Sequence, residues 1–563
     1  MLSHCATLLL LAAPAAAQVI GGEFEAPQIF VGTDSYGFFG NSVSSAGDIN
    51  GDGFDDFMVG APRADHSGLS DAGQVVLYSG TGGFTTTLSG AAAGDFFGWS
   101  ISNVGDLDGD GFDDVLIGAP ESSAGGTNNA GAAYVYSALS GTLIYEWHGV
   151  GDNGNFGFSV SGAGDVNGDG TPDVIIGAPN AKPFGLNNAG SAFVYSGADG
   201  TRLHRFDGVA DDFTLGFSVS GAGDVDGDGS DDLIVGVPHA DINGPSSGTA
   251  LVFSGATGSL IWQWSGTATS DLFGFSVSGA GDVDQDGYAD LIIGTPYPEA
   301  GTYPQAGTAT VYSGATGNQM YHWASAIAFD AFGTSVSGAG DVDGDGHADL
   351  LVGAFGYDFF GNSTAEPTAH LYSGIDGSVM QTWTEGVNED SFGVAVSSAG
   401  DTDGDGLSEV IVGASYYTGG GITARGAVFL YSFNPYMHLD KLSVSAAAGG
   451  IITLDLHFPL AAAGYKYKIL ISQTGTGPTS FGVDIPLTQD ALVVDTFFGS
   501  YPAPSANMHG TLDAFGQGSA SVTVPAGSPS SLIGQTFYTA AIAIPNGLFP
   551  TYSSVASAVT VLP

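Results

Sequence analysis

The chain has 563 residues, 92 of them glycine, with 58 acidic side chains against 8 Lys+Arg and a formal charge of −50. Phosphate recognition needs clustered cations, so eight of them spread from Arg63 to Lys468 exclude nucleic acid as a partner, and the same charge repels anionic membranes. Hydrophobic residues make up 43% and aromatics 11%, which excludes an acidic disordered tail and is enough for a large core.

The first element is an apolar run from Ala6 to Ala13, followed by Ala15-Ala16-Ala17. Small residues in that arrangement predict a signal peptide over 1–17, cleaved after Ala17, and with it a secreted, extracellular or cell-surface protein. The run is too short for a helix that crosses a bilayer, which takes about 20 apolar residues. No later segment reads as a membrane span. Cys5 leaves with the leader, so the mature chain has to be held together without disulfides.

From Asp48 onward an acidic nonapeptide recurs seven times, at Asp48, Asp106, Asp165, Asp224, Asp282, Asp341 and Asp401, with spacings of 58, 59, 59, 58, 59 and 60 residues. Each copy sits in the same order of segments. An aromatic-Gly pair and a run like SVSGAG precede it; an apolar run such as VIIGAP, a variable loop, a VYSG-type run and a segment ending in an aromatic follow. Short apolar runs bounded by Gly and Pro predict four strands per repeat. Four antiparallel strands repeated seven times predict an all-β, seven-bladed β-propeller over 22–432. The small residues of the first strand place it nearest the axis, where seven sheets crowd together. Fourth strands end in Trp147, Phe206, Trp264, Trp323 and Trp383, whereas the seventh repeat stops after its third strand, Gly426 to Ser432. A matching strand at 27–32 lies ahead of the first repeat and is predicted to close blade seven.

Carboxylates at loop positions 1, 3, 5 and 9, with Gly at 6 for a sharp turn and a backbone carbonyl at 7, form a hard oxygen donor set that favours Ca²⁺ over Mg²⁺ and zinc. The predicted ligands are Asp48, Asn50, Asp52, Phe54 and Asp56 in loop 1, and Asp106, Asp108, Asp110, Phe112 and Asp114 in loop 2. Loop 3 offers Asp165, Asn167, Asp169, Thr171 and Asp173, and loop 4 Asp224, Asp226, Asp228, Ser230 and Asp232. Loop 5 has Asp282, Asp284, Asp286, Tyr288 and Asp290; loop 6 has Asp341, Asp343, Asp345, His347 and Asp349; loop 7 has Asp401, Asp403, Asp405, Leu407 and Glu409. Phe54, Phe112, Thr171, Ser230, Tyr288, His347 and Leu407 enter through their carbonyls only. Acidic hairpin turns without a metal are the alternative, but four like charges held together repel strongly unless a cation compensates them. Up to seven Ca²⁺ are expected, with a structural role, because an active site is usually single. Asn at position 3 removes one charge from loops 1 and 3, which are expected to bind more weakly.

Phe-Gly, the DxDGDGxxD loop and Gly-Ala-Pro together resemble the FG-GAP repeats of the integrin α-subunit N-terminal propeller and of related secreted bacterial proteins, over roughly residues 22 to 432. The chain departs from the pattern at Leu215-Gly216, at Gln285, and at Gly236-Val-Pro, Gly294-Thr-Pro, Gly353-Ala-Phe and Gly413-Ala-Ser. No inserted DxSxS domain is found, so integrin signalling is not carried over. The resemblance implies that the face opposite the calcium loops meets partners. On that face the 2-to-3 and blade-linking loops are longer and more variable, and they carry Tyr297, Tyr303, Tyr357, Phe359, Phe360, Tyr416 and Tyr417 as candidate ligand residues; local packing is the competing role for them.

After Ser432 the texture changes. Alternation over Ile452 to Phe458, with further strands at Tyr465 to Ser472, Ser519 to Val524, Thr536 to Ile544 and Ser554 to Val561, predicts a β-sandwich over 433–563. No catalytic residue is assigned. The leading expectation is a non-enzymatic, monomeric propeller that presents a loop face to an extracellular protein or glycan ligand. An extracellular hydrolase using that face, or a structural matrix or surface component, are the alternatives.

Overall fold

The computed structural model describes residues 22–435 except 82–84, 152, 299–302, 357–364, 385–389 and 419–420, and beyond them a set of C-terminal strands by their backbone alone. The predicted leader lies outside the described residues. The chain divides into a compact unit, Glu25–Phe433, and a second that contains Asn434–Pro563.

The first unit is a ring of seven four-stranded antiparallel sheets. Blade 1 runs Ser42–Gly47, Asp56–Ala61, Gln74–Tyr78 and Thr85–Ser89, paired in that order, and blades 2 to 6 repeat the plan. Each first strand lies against the first strand of the next blade, and that of blade 7 (Phe392–Gly400) lies against that of blade 1. The small-residue strand is therefore the innermost, as its composition requires. In blade 7 the outermost strand is Gln28–Val31, with Gln28 opposite Leu430 and Val31 opposite Ala427. The ring is closed by backbone pairing between the two ends of the repeat array.

Every second strand, for example Asp173–Ala178, is buried along its whole length. Such a strand has a neighbour on each side and a blade over each face, hence its continuous run of apolar residues. The core consequently lies between blades. Val104, Leu107 and Leu116 of blade 2 pack with Phe156, Val160 and Ile176 of blade 3. The same layer at the seam joins Phe39, Val43 and Phe57 to Ile411, Val428 and Leu430.

The repeated motifs have a direct physical reading in these contacts. Phe97, Phe156 and Phe392 are at most 2% exposed. The glycine after the aromatic holds a positive φ, 84° at Gly157, and its N–H donates to the Gly177 carbonyl at 3.0 Å. Gly177, in turn, is the glycine of Gly-Ala-Pro, and a Cβ there would collide with the carbonyl oxygen of Gly216 in the following blade. That oxygen also accepts a 3.0 Å hydrogen bond from Ser159 Oγ. Leu215, which replaces Phe in repeat four, is 4% exposed and keeps the same bridge to the preceding blade, at Gly190.

At the rim, the aromatic near the end of the fourth strand of blades 2 to 6 stacks on a ring in the third strand of the next blade; in blade 1 Leu88 stands in that place. Trp147 meets Tyr195 at 4.9 Å, Phe206 meets Phe253 at 4.0 Å, Trp264 meets Tyr312 at 4.4 Å, Trp323 meets Tyr372 at 4.2 Å and Trp383 meets Tyr431 at 4.5 Å. Indole N–H groups extend the contact: Trp264 Nε1 donates to the Gly317 carbonyl at 3.0 Å and Trp323 Nε1 to that of Gly377 at 2.8 Å. Phe30 of the closing strand meets Tyr78 at 4.8 Å with the rings tilted by 55°, so the seam too carries an aromatic pair at the rim.

In the C-terminal segment one sheet orders Met437–Leu439, Gly450–His457, Gln517–Val524 and Ser505–Ala506; a second is built around Lys466–Ser472, Thr536–Ile544 and Ser557–Leu562. These strands overlap the segments expected from the alternation of apolar residues.

Gly177→Ala is expected to cost about 1–3 kcal/mol of stability through overpacking between blades, read from the midpoint of urea unfolding. Val150→Ala, at a side chain 75% exposed, is the control and should leave the midpoint unmoved.

Candidate metal loops and recognition face

Each acidic loop begins where the first strand ends. In blade 3 a bulge between Gly162 and Gly164 breaks the ladder, and Gly164 then pairs with Asp173, leaving positions 1 to 8 as the loop. The position 1 carboxylate organises the turn. Asp48 Oδ1 accepts the N–H groups of Gly51 at 2.7 Å and Asp52 at 3.2 Å, and Oδ2 accepts that of Gly53 at 2.9 Å. Asn50 Oδ1 takes a second bond from the Asp52 N–H at 3.0 Å, and Asp52 Oδ1 accepts from Phe54 N–H at 3.1 Å. Gly53, at φ 88°, makes the reversal that the sequence assigns to position 6.

Position 9 differs from the rest because it is buried. Asp56, Asp173, Asp232, Asp290, Asp349 and Glu409 are 0% exposed and Asp114 is 1%. One oxygen accepts the N–H of position 2, as Asp173 Oδ2 does from Val166 at 3.0 Å. In blades 1 and 3 to 6 the other accepts the N–H of a glycine in the 3-to-4 turn, among them Gly80 to Asp56 and Gly197 to Asp173 at 3.0 Å and Gly374 to Asp349 at 3.1 Å. These bonds place the acidic loops and the 3-to-4 turns on one face of the ring.

In five loops the carboxylates of positions 1, 3 and 9 offer oxygens that all lie within 4.8 Å of one another: Asp106, Asp108 and Asp114; Asp224, Asp226 and Asp232; Asp282, Asp284 and Asp290; Asp341, Asp343 and Asp349; Asp401, Asp403 and Glu409. In loop 1, Asn50 stands at position 3 and its Nδ2 donates to Asp56 Oδ2 at 2.9 Å. Two position 9 oxygens, Asp114 Oδ1 and Glu409 Oε1, are buried with no hydrogen-bond partner. Ala138 in blade 2 and Phe433 in blade 7 stand where blades 1 and 3 to 6 have the donating glycine. A buried carboxylate oxygen left without a donor, beside two more carboxylates, fits a hard divalent cation. Positions 1, 3 and 9, with the carboxylate of position 5, would hold it.

Burial, followed in most loops by repulsion from the carboxylates at positions 1, 3 and 5, pushes the position 9 acids up. Asp56, Asp173, Asp232 and Asp290 rise to about 6, Asp114 to about 7 and Glu409 to about 8. Asp349 and Asp343 in loop 6 are raised for the same reason. Loop 6 is also the most enclosed, with Asp343 only 6% exposed and the His347 ring at 2.8 Å from the Val283 carbonyl of loop 5.

The opposite face starts at the Phe-Gly pairs. There the structure shows an arc of half-buried aromatics that the reading of variable loops missed. Trp99 is 5.7 Å from Phe158, Phe158 is 5.0 Å from Phe217, and Phe217 is 4.9 Å from Phe275. All four follow a Phe-Gly or Leu-Gly pair directly, and that periodic aromatic was visible in the repeats. Phe96 extends the arc to Trp99 at 6.2 Å. The guanidinium of Arg63 lies between Phe38 and Phe96, 5.0 and 5.3 Å from their centroids.

The seven candidate ligand residues fall differently. Tyr297 is 8% exposed and packs with Leu272, Ala331, Phe275 and Phe355, so it belongs to the core beneath the face. It directly follows the Gly-Thr-Pro of blade 5, which holds it against Phe275. Tyr303 and Tyr416 are exposed, at 47% and 45%, and Tyr416 lies 4.6 Å from Phe38. Tyr417 is half-buried and meets Phe429 edge-on. Tyr357, Phe359 and Phe360 lie outside the described residues.

Fold and loops together define a seven-bladed propeller with one acidic loop per blade. The FG-GAP repeat family matches residues 39–78, 97–136, 156–195, 215–253, 273–312, 332–365 and 392–431, one segment in each blade. The chain belongs to the FG-GAP repeat proteins. It is similar to integrin alpha-5 of Xenopus laevis, 33% identical over 225 residues that cover 37% of this chain and 20% of that protein. It is likewise similar to integrin alpha-V of Gallus gallus, 30% identical over 40% of this chain and 22% of that protein, and to integrin alpha-PS2 of Drosophila melanogaster, 32% identical over 38% and 16%. The similarity thus spans about a fifth of each of these relatives' lengths. Among the described residues no helix is long and apolar enough to cross a membrane.

The raised acids fix the sign of the pH response. Their folded values lie above the unfolded carboxylate range, so the metal-free fold is most stable below about pH 4 with respect to these groups and loses that contribution as pH rises through 6 to 8. A cation must displace those protons. Ca²⁺ affinity is therefore expected to rise with pH and level off above about 8, with proton release at pH 5–6 measured by calorimetry in buffers of different ionisation enthalpy.

Proposed function

We propose that this chain is an exported, non-catalytic interaction module: a calcium-stapled propeller that offers its aromatic face to an extracellular protein or glycan. The carrying observation is the arc from Phe96 through Trp99, Phe158 and Phe217 to Phe275, on the face opposite the acidic loops. Rings held half-exposed on a rigid scaffold give contact area at small entropic cost, which suits adhesion. Arg63 and the exposed Tyr416 flank the arc and add hydrogen-bonding edges. Similarity to integrin alpha chains supports a role in recognition, and the two C-terminal sheets are proposed to close into a sandwich.

Seven Ca²⁺ in the loops would be structural in this reading. Each ties the end of a first strand to the start of a second, and in blades 1 and 3 to 6 also, through the position 9 acid, to the 3-to-4 turn of the same blade. Loops 1 and 3 are proposed as the weaker sites. EDTA is expected to lower the melting temperature, with Ca²⁺ restoring it; an unchanged melt would remove the stapling role.

Recognition is tested by screening the full chain against glycan and extracellular-protein arrays with and without Ca²⁺. Trp99→Ala and Phe158→Ala should each weaken a hit by about 10-fold or more while the calcium-dependent melt is kept. Turnover of a polysaccharide or ester by the purified protein would overturn the non-catalytic reading.

A further inference from the structure

Position 8 of the acidic loop has no place among the predicted ligands, yet it is where neighbouring loops touch. The Asp55 N–H donates to the Asp401 carbonyl at 2.8 Å, and the Asp401 N–H donates back to Asp55 Oδ2 at 2.8 Å. Asp55 precedes the buried ligand Asp56 of loop 1, while Asp401 is position 1 of loop 7. The pair therefore joins two proposed cation sites across the seam where the ring closes. Loops 3 and 4 repeat the arrangement: Asp231 N–H to the Asp165 carbonyl at 3.2 Å, and Asp165 N–H to Asp231 Oδ2 at 2.8 Å. In both, the residue before position 1 is a glycine at positive φ, Gly400 at 77° and Gly164 at 69°, and the position 8 carboxylate lies where a Cβ would be.

Elsewhere the link is weaker or different. Ala289 and Ser408 keep only the backbone half, donating to the Asp224 and Asp341 carbonyls at 3.1 and 3.3 Å. Between loops 5 and 6, Gln285 Nε2 donates to the Gly346 carbonyl at 2.7 Å. Position 8 of loop 3 is Pro172, which has neither an N–H nor a carboxylate to offer loop 2.

We propose that Asp55 and Asp231 are positioning residues that couple neighbouring cation loops, 7 with 1 and 3 with 4, so that filling one loop favours filling the other, whereas loops 2 and 3 fill independently. The coupling rests on the calcium reading above. Asp401 would help hold the cation of loop 7; its backbone holds Asp55 by two hydrogen bonds, and Asp55 precedes Asp56, which would help hold the cation of loop 1. The entropic cost of ordering the shared segment falls on whichever ion binds first.

The test is a Ca²⁺ titration of the full chain followed by hydrogen exchange, reading a midpoint for each acidic loop. Disabling loop 7 with Asp403→Asn and Asp405→Asn is expected to raise the loop 1 midpoint by about 3-fold to about 100-fold, the range for residues in contact. The shift should vanish in an Asp55→Ala background and persist in Asp55→Asn, whose carbonyl oxygen still accepts the Asp401 N–H. Disabling loop 2 with Asp108→Asn and Asp110→Asn should leave loop 3 unmoved. If Asp55→Ala fails to fold, Asp231→Ala gives the same comparison for loops 3 and 4, away from the seam. A loop 1 midpoint indifferent to loop 7, or a shift that survives Asp55→Ala, overturns the coupling alone. Absence of any Ca²⁺-dependent protection overturns the cation reading and the coupling with it.

Discussion

The architecture depends on one close approach, in which the carbonyl oxygen of a Phe-Gly glycine sits where the Gly-Ala-Pro glycine of the preceding blade would carry its Cβ. Two sheets at that separation bury the second strand completely and bring the aromatic before the glycine into the interblade core. The motif is thus an interface between repeats rather than a feature of one repeat, and no blade can bury its own apolar face alone. Rim stacking of a fourth-strand aromatic on the next blade's third strand is the outer counterpart of the same contact.

Electrostatics set a second requirement. Burying seven position 9 carboxylates, each beside further acids, is unfavourable in a protein with so few cations of its own. Seven divalent ions would take fourteen units off a formal charge of −50. Acids outside the loops would still leave a negative surface, which favours solubility.

Much of this was legible in the residues. The 58-to-60 residue period and the strands of each repeat follow from turn chemistry and apolar runs that recur along the chain, and the closing strand from the fourth strand that the last repeat lacks. The face opposite the acidic loops was read less well. Variable loops drew attention to Tyr297, whereas its position after Gly-Thr-Pro commits it to the core; the residues that form the arc sit in the constant part of the repeat, one place after Phe-Gly. Position 8 was passed over because a carboxylate next to a ligand reads as one more turn former, and its partner is 346 residues away in the chain.

The closing strand has a consequence for the history of each molecule. Gln28–Val31 is made before any blade exists, yet its partner Ala427–Tyr431 is among the last parts of the ring to be made. Six blades can build on one another in order as they emerge, each on the face left by the one before. The seventh cannot be completed until the whole array curves back to meet its own beginning. Until then both flanks of the growing stack are bare apolar sheets, the kind of surface on which chains aggregate. Ring closure is thus a single late event of very long loop length. Failure at that step would leave a molecule with nearly every local contact in place and no closed ring.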